Sequence, residues 1–284
     1  MTKIIHKNTD ETLKGRTEKD VYFGYTCIGG RAEDQDCLAY NEINGRQFFA
    51  VCDGMGGHAG GCVASFTAAC AIGEAFERQA NVLPTSEVMV TAVSEANASV
   101  YKTAQETPSL RGMGTTLTLL VIDDEAAYVT HTGDSRIYQF RKGKKVFRTF
   151  DHSIVFEQVA KGKMTEEEAR QHPRSNVLSR AIGILPDVDV VVTKLDYQKG
   201  DRFVLCCDGV WNTQPEKEII KMFTTHQEVE TACMSSRSMV EKFGNDGGGK
   251  HDNHTMIAVD MLCDSKYRKS LFGRLKKLFQ RKRN

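Results

Sequence analysis

The sequence predicts an α+β chain built as a helix-covered β-sandwich, on three observations. Short apolar runs rich in β-branched and aromatic residues recur along it. Several are joined by brief turns such as Asp123-Asp124-Glu125 and Arg141-Lys142-Gly143, which favour antiparallel hairpins. Apolar residues at helical spacing fall in a few long stretches between clusters of these runs. Finally, two of the strand-like runs close on the same dipeptide. Phe48-Phe49-Ala50-Val51-Cys52 ends in Asp53-Gly54, and Phe203-Val204-Leu205-Cys206-Cys207 ends in Asp208-Gly209. A buried strand holds a carboxylate rigidly at its tip, and glycine lets backbone and ligand approach closely. Two such tips at one end of a core suit a dinuclear site, because carboxylates from distant parts of a chain can bridge two hard divalent cations.

In chain order, residues 1–20 are polar and are expected to begin as a loosely ordered segment. Strands are expected near 22–28, 36–41, 47–52, 115–122, 126–132, 136–141, 188–195, 202–207 and 255–262. Helices are expected at 61–79, at 86–106 and at 227–243. The second has Met89, Ala92, Val93, Ala96 and Val100 on one face; the third has Val229, Ala232, Cys233, Met239, Val240 and Phe243. Residues 151–186 form a strand-poor insert in which Thr165-Glu166-Glu167-Glu168 reads as a capping box opening a short helix. The domain expected is 21–264, followed by a tail at 265–284.

At 40% hydrophobic and 26% charged, the chain has the composition of a protein with a sizeable core. No stretch approaches the roughly 20 apolar residues of a membrane span, and Met1-Thr2-Lys3 is not followed by a signal-like apolar segment, so a cytoplasmic location is expected. The nine cysteines are odd in number and make no CxxC pair. They are expected to be small buried hydrophobes, with neither a zinc site nor a disulfide framework.

The tail is chemically separate. It carries nine basic residues and no acid, leaving the remaining chain at about −8. Leu271, Phe272, Leu275, Leu278 and Phe279 share one helical face opposite the basic residues, the pattern of a helix lying on an anionic membrane surface. Docking on the protein body is the alternative. The acidic body and the lack of a base-reading motif speak against nucleic acid.

Asp53-Gly54-Met55-Gly56-Gly57-His58-Ala59-Gly60-Gly61, with Gly114-Thr115-Thr116, Gly133-Asp134-Ser135-Arg136, Asp151-His152-Ser153, Asp208-Gly209 and Asp252-Asn253, resembles the metal-dependent PP2C-type (PPM) serine/threonine protein phosphatases, the bacterial branch above all. The stretch from His172 to Gly183 is similar to that family's mobile flap. The resemblance runs over roughly residues 20–262 in the family's motif order. It implies an αββα sandwich with a centre of two Mn²⁺ or Mg²⁺ ions at one end. It further implies phosphoprotein substrates of a cognate Ser/Thr kinase, and action as a monomer.

The chemistry fits. Phosphomonoesters hydrolyse extremely slowly unaided, so a site must supply a nucleophile and neutralise charge. Two cations about 3.5–4 Å apart can bridge and activate one water. Asp53 is the expected bridging carboxylate, with the Gly54 carbonyl, Asp208, Asp252 and Asp36 completing the set. Each aspartate also has the plainer reading of a turn-former. Arg31 would grip phosphate with its planar fork, or be a surface arginine at a strand end. His58 would protonate the departing alkoxide, or simply cap the following helix. Asp134 matches the family's weaker third metal position, or forms a hairpin corner. Asn212, where many relatives carry an acid, weakens the case for that third metal. Asp34 and Gln35 stand where the family often shows an asparagine and an acid. The other readings are a catalytically weak phosphoprotein-binding regulator, a small-molecule phosphomonoesterase, and another Asp/Gly-rich metal enzyme such as a phosphoryl transferase. Nucleotide use is disfavoured by the absence of GxxxxGK[ST].

Overall fold

The apolar runs are continuous where they are because both faces of each central strand are covered. In the computed structural model, which describes residues 1–6, 12–57, 59–225 and 228–268, two antiparallel sheets stack face to face. The first runs β1 (Lys3–His6), β4 (Asp36–Ile43), β5 (Arg46–Met55), β7 (Leu117–Ile122), β8 (Ala127–Thr132) and β11 (Thr193–Leu195), with the short β6 (Gly114–Thr115) on the end of β5. The second runs β10 (Lys144–Arg148), β9 (Arg136–Arg141), β12 (Arg202–Cys206), β13 (His254–Met261), β3 (Asp20–Cys27) and β2 (Thr12–Arg16). Alternate residues of β4 and β5 serve two cores. Leu38, Phe49 and Val51 face the second sheet with Leu120, Phe203 and Ile257. Cys37, Ala39, Phe48, Ala50 and Cys52 pack beneath α1 (Ala59–Gln79) and α2 (Thr85–Glu106). The outer face of the second sheet is covered by α7 (Val229–Asp246), which buries Val229, Ala232, Cys233 and Val240. This is an α+β, αββα arrangement.

The helices follow their expected faces. Met89, Ala92, Val93, Ala96 and Val100 of α2 are all buried. In α7 the stripe stops short of its last member, since Phe243 is 47% exposed near the helix end. Within the insert lie α3 (Ile154–Ala160) and α4 (Glu166–Gln171), and α4 opens on the Thr165–Glu168 capping box. Two short helices, α5 (Asp208–Trp211) and α6 (Glu216–Thr224), follow β12.

Three expectations are corrected. The amino-terminal segment is not loose where it is described: β1 pairs with β4 and β2 with β3. Each sends one apolar side chain inward, Ile5 and Leu13, and keeps charged residues outward as an edge strand does. The strand expected at 188–195 is hydrogen-bonded only over Thr193–Leu195; Val188, Val190 and Val192 pack on the helix-side core without a ladder. And β5 does not end at Asp53 but runs on through Gly54–Met55, which pair with Gly114–Thr115. The edge strand β10, with sequence KKVFR, lacks the apolar signal that marks the others. The tail residues Leu271, Phe272, Leu275, Leu278 and Phe279 lie outside the described residues.

A buried ion pair ties the second sheet to the insert. Arg136, at the start of β9, donates from Nε and Nη2 to the two oxygens of Asp151 at 2.8 and 2.7 Å. Both side chains are essentially inaccessible, and the guanidinium lies 3.5 Å from the centroid of the Trp211 ring. Breaking such a pair strands a charge in low dielectric, whatever its net worth when intact. Asp151→Asn should therefore cost about 3–5 kcal/mol, read as a lowered denaturant midpoint at unchanged slope. A loss under about 1 kcal/mol would show that Arg136 finds water or another partner.

Candidate metal centre

Strand register places the carboxylates. Asp36 opens β4 and stands directly opposite Asp53 near the end of β5. Asp208 follows β12 and opens α5, Asp252 lies two residues before β13, and Asp134 sits in the hairpin between β8 and β9. Antiparallel pairing brings all five to one end of the sandwich. A cleft of about 540 Å³ opens there, lined by Arg31, Gln35, Asp53, Gly54, Asp208 and Asp252 among others.

Each candidate is held by its backbone. The Asp53 N–H donates to the Thr116 hydroxyl at 3.0 Å, and its carbonyl accepts from the Thr116 N–H at 2.8 Å and the Thr115 hydroxyl at 2.9 Å. Thr116 in turn shares a 2.7 Å hydrogen bond with the buried Ser135 hydroxyl. Gly54 donates to the Gln35 carbonyl at 3.1 Å, and a Cβ there would come within 2.0 Å of the Gly61 carbonyl oxygen. Glycine is equally required at 209, where a Cβ would meet the Asn253 carbonyl oxygen at 1.9 Å. The two Asp-Gly pairs are thus close-approach sites between elements.

Asn253 organises the cleft's other wall. Its side-chain amide donates to the carbonyls of Ile28 at 2.8 Å and Glu33 at 2.9 Å, while its Oδ1 accepts from the Gln35 N–H at 2.9 Å. Its own N–H donates to Asp252 Oδ1 at 2.9 Å. The loop carrying Arg31 is thereby fastened to the loop carrying Asp252, and Arg31 Nη2 reaches Asp252 Oδ2 at 2.6 Å. Asp34 is a brace: it accepts from the Thr26 hydroxyl at 2.8 Å and the Asp36 N–H at 3.1 Å. Asp134 lies beside Trp211, whose indole N–H donates to the Asp134 carbonyl at 3.0 Å. Asn212 and Asp208 line the same small recess. His58 lies outside the described residues.

The electrostatics call for cations. Both Asp36 oxygens are buried without a well-formed hydrogen bond, the Thr255 hydroxyl and the Cys207 thiol being the nearby donors, a costly state for a carboxylate. Asp36, Asp53 and Cys207 bring candidate ligand atoms within 4.8 Å of one another. Burial first, and then Asp34, pushes the Asp36 carboxyl well above the usual carboxylate range. Burial also raises Asp53, with Asp36, Asp208 and Asp134 adding to it, and it raises Asp134, with Asp208 and Asp151 adding. Asp208 is pushed up to about 6, by burial and next by Asp252. A crowded set of hard oxygen donors around a solvent-open cleft suits Mn²⁺ or Mg²⁺. The Cys207 thiol, raised by burial, is poorly disposed to compete as a ligand.

An αββα sandwich with a carboxylate cluster at the strand ends defines the metal-dependent protein phosphatases, and the chain belongs to the protein phosphatase 2C family. That family's sequence profile matches residues 23–243. Serine/threonine phosphatase stp of Listeria innocua is 32% identical over 238 residues, spanning 78% of this chain and 90% of that protein. The crystal structure of the Mycobacterium tuberculosis serine/threonine phosphatase PstP/Ppp superposes with a TM-score of 0.74 at 28% identity, covering 85% of this chain and 98% of that one. The catalytic domain of PstP in complex with two manganese ions superposes at 0.69 with 27% identity, covering 86% and 99%.

A carboxylate whose pKa is raised by folding stabilises the fold below its unfolded value and loses that contribution as pH rises through the folded one. The metal-free protein should therefore melt lower as pH rises from about 5 to about 7, through the Asp208 value of about 6. Saturating Mn²⁺ or Mg²⁺ should abolish the decline, since cation binding favours the ionised carboxylates. A melting temperature that is flat over this window and indifferent to either ion would refute the electrostatic account.

Proposed function

We propose that this chain hydrolyses phosphoserine and phosphothreonine in proteins, using two Mn²⁺ or Mg²⁺ ions held by Asp53, Asp36, Asp208, Asp252 and the Gly54 carbonyl. The observation that carries this reading is the pair Asp36 and Asp53: opposed carboxylates at a strand end, with the Asp36 oxygens buried and lacking a well-formed hydrogen bond. When bound, the ions supply a nucleophile from water at neutral pH and neutralise the substrate's charge. The residues of the chain do the rest. Arg31, 53% exposed at the rim, is free enough to turn its fork to a phosphate dianion. The fastening through Asn253 keeps that guanidinium beside the carboxylate cluster. His58 follows the glycine-rich turn and would donate a proton to the departing serine or threonine oxygen. Asp134, with Asp208, would hold a weaker third ion, at a recess where Asn212 contributes no charge.

The intact carboxylate set speaks against a silent binding module, and the open cleft suits a side chain on a protein rather than an enclosed metabolite. The substrates would be those of a cognate Ser/Thr kinase. Hydrolysis of phosphoserine and phosphothreonine peptides with added Mn²⁺ tests the reading. Asp53→Ala should lower kcat by orders of magnitude, whereas Arg31→Ala should act chiefly on KM. An Asp53→Ala protein that keeps Mn²⁺-stimulated turnover would sink the assignment.

The location follows from the tail. Among the described residues no helix is long and apolar enough to cross a membrane. The basic tail at 265–284 would hold the enzyme to anionic lipid from the cytoplasmic side, each basic residue contributing about 1 kcal/mol at low salt. Full-length protein should co-sediment with phosphatidylserine vesicles at low salt and release at high salt, and protein truncated after Arg268, which keeps the turn that Ser265 and Arg268 pack on Tyr197 and Asp196, should stay in solution. Absence of vesicle binding by both forms would contradict the idea; a large fall in melting temperature on truncation would point to docking on the body instead.

A further inference from the structure

A second set of metal-ligating side chains lies apart from the aspartate cluster, behind the loops that carry Arg31 and Asp252. Cys27 ends β3, Glu241 projects from α7 and His254 opens β13. Their ligand atoms all fall within 4.8 Å of one another. The Cys27 Sγ is 3.1 Å and the His254 Nε2 is 3.0 Å from the same carboxylate oxygen, Glu241 Oε1. The other oxygen, Oε2, is 3.1 Å from His251 Nε2. His254 and His251 are buried, while Glu241 is one-third exposed and gives a way in from solvent.

We infer that Cys27, Glu241 and His254 form a zinc site, with a water as fourth ligand and His251 bracing the free oxygen of Glu241. Thiolate, imidazole and carboxylate together favour Zn²⁺ over the hard ions that suit the aspartate cluster. Tetrahedral bonds of about 2.0–2.3 Å place donor atoms roughly 3.3–3.7 Å apart. The two separations to Glu241 Oε1, 3.0 and 3.1 Å, would open by a few tenths of an ångström, and the sulfur and the imidazole nitrogen already lie within 4.8 Å of each other. Binding displaces the thiol proton of Cys27 to solvent. It also moves the ring proton of His254 from Nε2 to Nδ1. Burial raises the Cys27 thiol, and the Gly29 backbone and Arg237 Nη2, 3.6 Å from the sulfur, oppose that rise, so the metal itself supplies the remaining drive to deprotonate it. The Nδ1 of His254 is buried with no partner. Metal-binding histidines ordinarily anchor that nitrogen on an acceptor, and losing such a partner typically costs about 10–100-fold in affinity. The site is therefore an exchangeable one rather than a permanent structural clamp.

Its position gives it a consequence. Cys27 and His254 are the roots of the two loops that Asn253 fastens together, and the Gly30 N–H donates to the His251 carbonyl at 2.9 Å. A Cβ on Gly29 would come within 2.2 Å of the Asp252 carbonyl oxygen, so the loops have no slack between them. Zinc at their roots would set the spacing of Arg31 and Asp252. Sequence spacing hides this set, because its members come from positions 27, 241 and 254 and no CxxC signals them.

The test uses the full-length protein in excess Mg²⁺, with Co²⁺ as a spectroscopic probe and Zn²⁺ in competition with a chromophoric chelator. Cys27→Ser should bind one equivalent of Zn²⁺ fewer than the unaltered protein, whatever the aspartate cluster takes up. Co²⁺ should give tetrahedral d–d bands and a thiolate charge-transfer band that Zn²⁺ bleaches. Cys27→Ser should lose the charge-transfer band, and His254→Gln and Glu241→Gln should weaken Zn²⁺ at least tenfold. Cys207→Ser and Asp53→Ala should keep the band. Melting curves would show which variants fold, and any one of the three ligand variants suffices. A cobalt spectrum without thiolate charge transfer, or one that survives in Cys27→Ser, would overturn the site.

Discussion

Carboxylates that cannot escape one another dominate this structure. Asp36 and Asp53 face each other across a strand pair, and Asp208, Asp252 and Asp134 arrive from three further strand ends. Left without counterions they are driven towards protonation, and Asp36 keeps two buried oxygens without a well-formed hydrogen bond. No local rearrangement relieves this. The Thr115–Thr116 pair uses every backbone hydrogen bond of Asp53, and Gly54 and Gly209 sit where any side chain would strike a neighbouring carbonyl. The fold thus keeps an electrostatic cost in place that divalent cations would relieve, a pattern common where function needs a preorganised charge.

The scaffold reaches the carboxylates through two devices. One is Asn253, a single side chain that holds the Arg31 loop by three hydrogen bonds and so fixes Arg31 relative to the carboxylate cluster. The other is the column of Asp151, Arg136 and Trp211, which runs from the head of the insert to the Asp134 backbone. The column thus joins the head of the insert to the backbone of Asp134 through buried polar contacts. The zinc set sits at the far side of the first device, at the roots of the same two loops.

The central strands and long helices were legible because they bury regular faces: β4, β5 and β12 between two layers, α2 along one stripe. The edges were not. β1 and β2 each bury one apolar side chain, and β10 carries mostly charge, so their pairing comes from the partner strand rather than from their own composition. Asp36, Asp53, Gly54, Asp208, Asp252, Asp134 and Arg31 were singled out from Asp-Gly tips and motif order, and the structure gathers them at one end of the sandwich. The roles of Asn253, Trp211 and Cys27 were not, since each acts through atoms far away in sequence. The chain's single tryptophan and the Gly133-Asp134-Ser135-Arg136 corner were the available hints to the Arg136 column.

The most direct test of the central claim is an anomalous difference map from crystals of the protein grown with Mn²⁺, recorded at the manganese absorption edge. The account predicts two strong peaks within the cluster of Asp36, Asp53, Asp208 and Asp252. A map with no peak within bonding distance of Asp53, from protein that is otherwise folded as described, would contradict it.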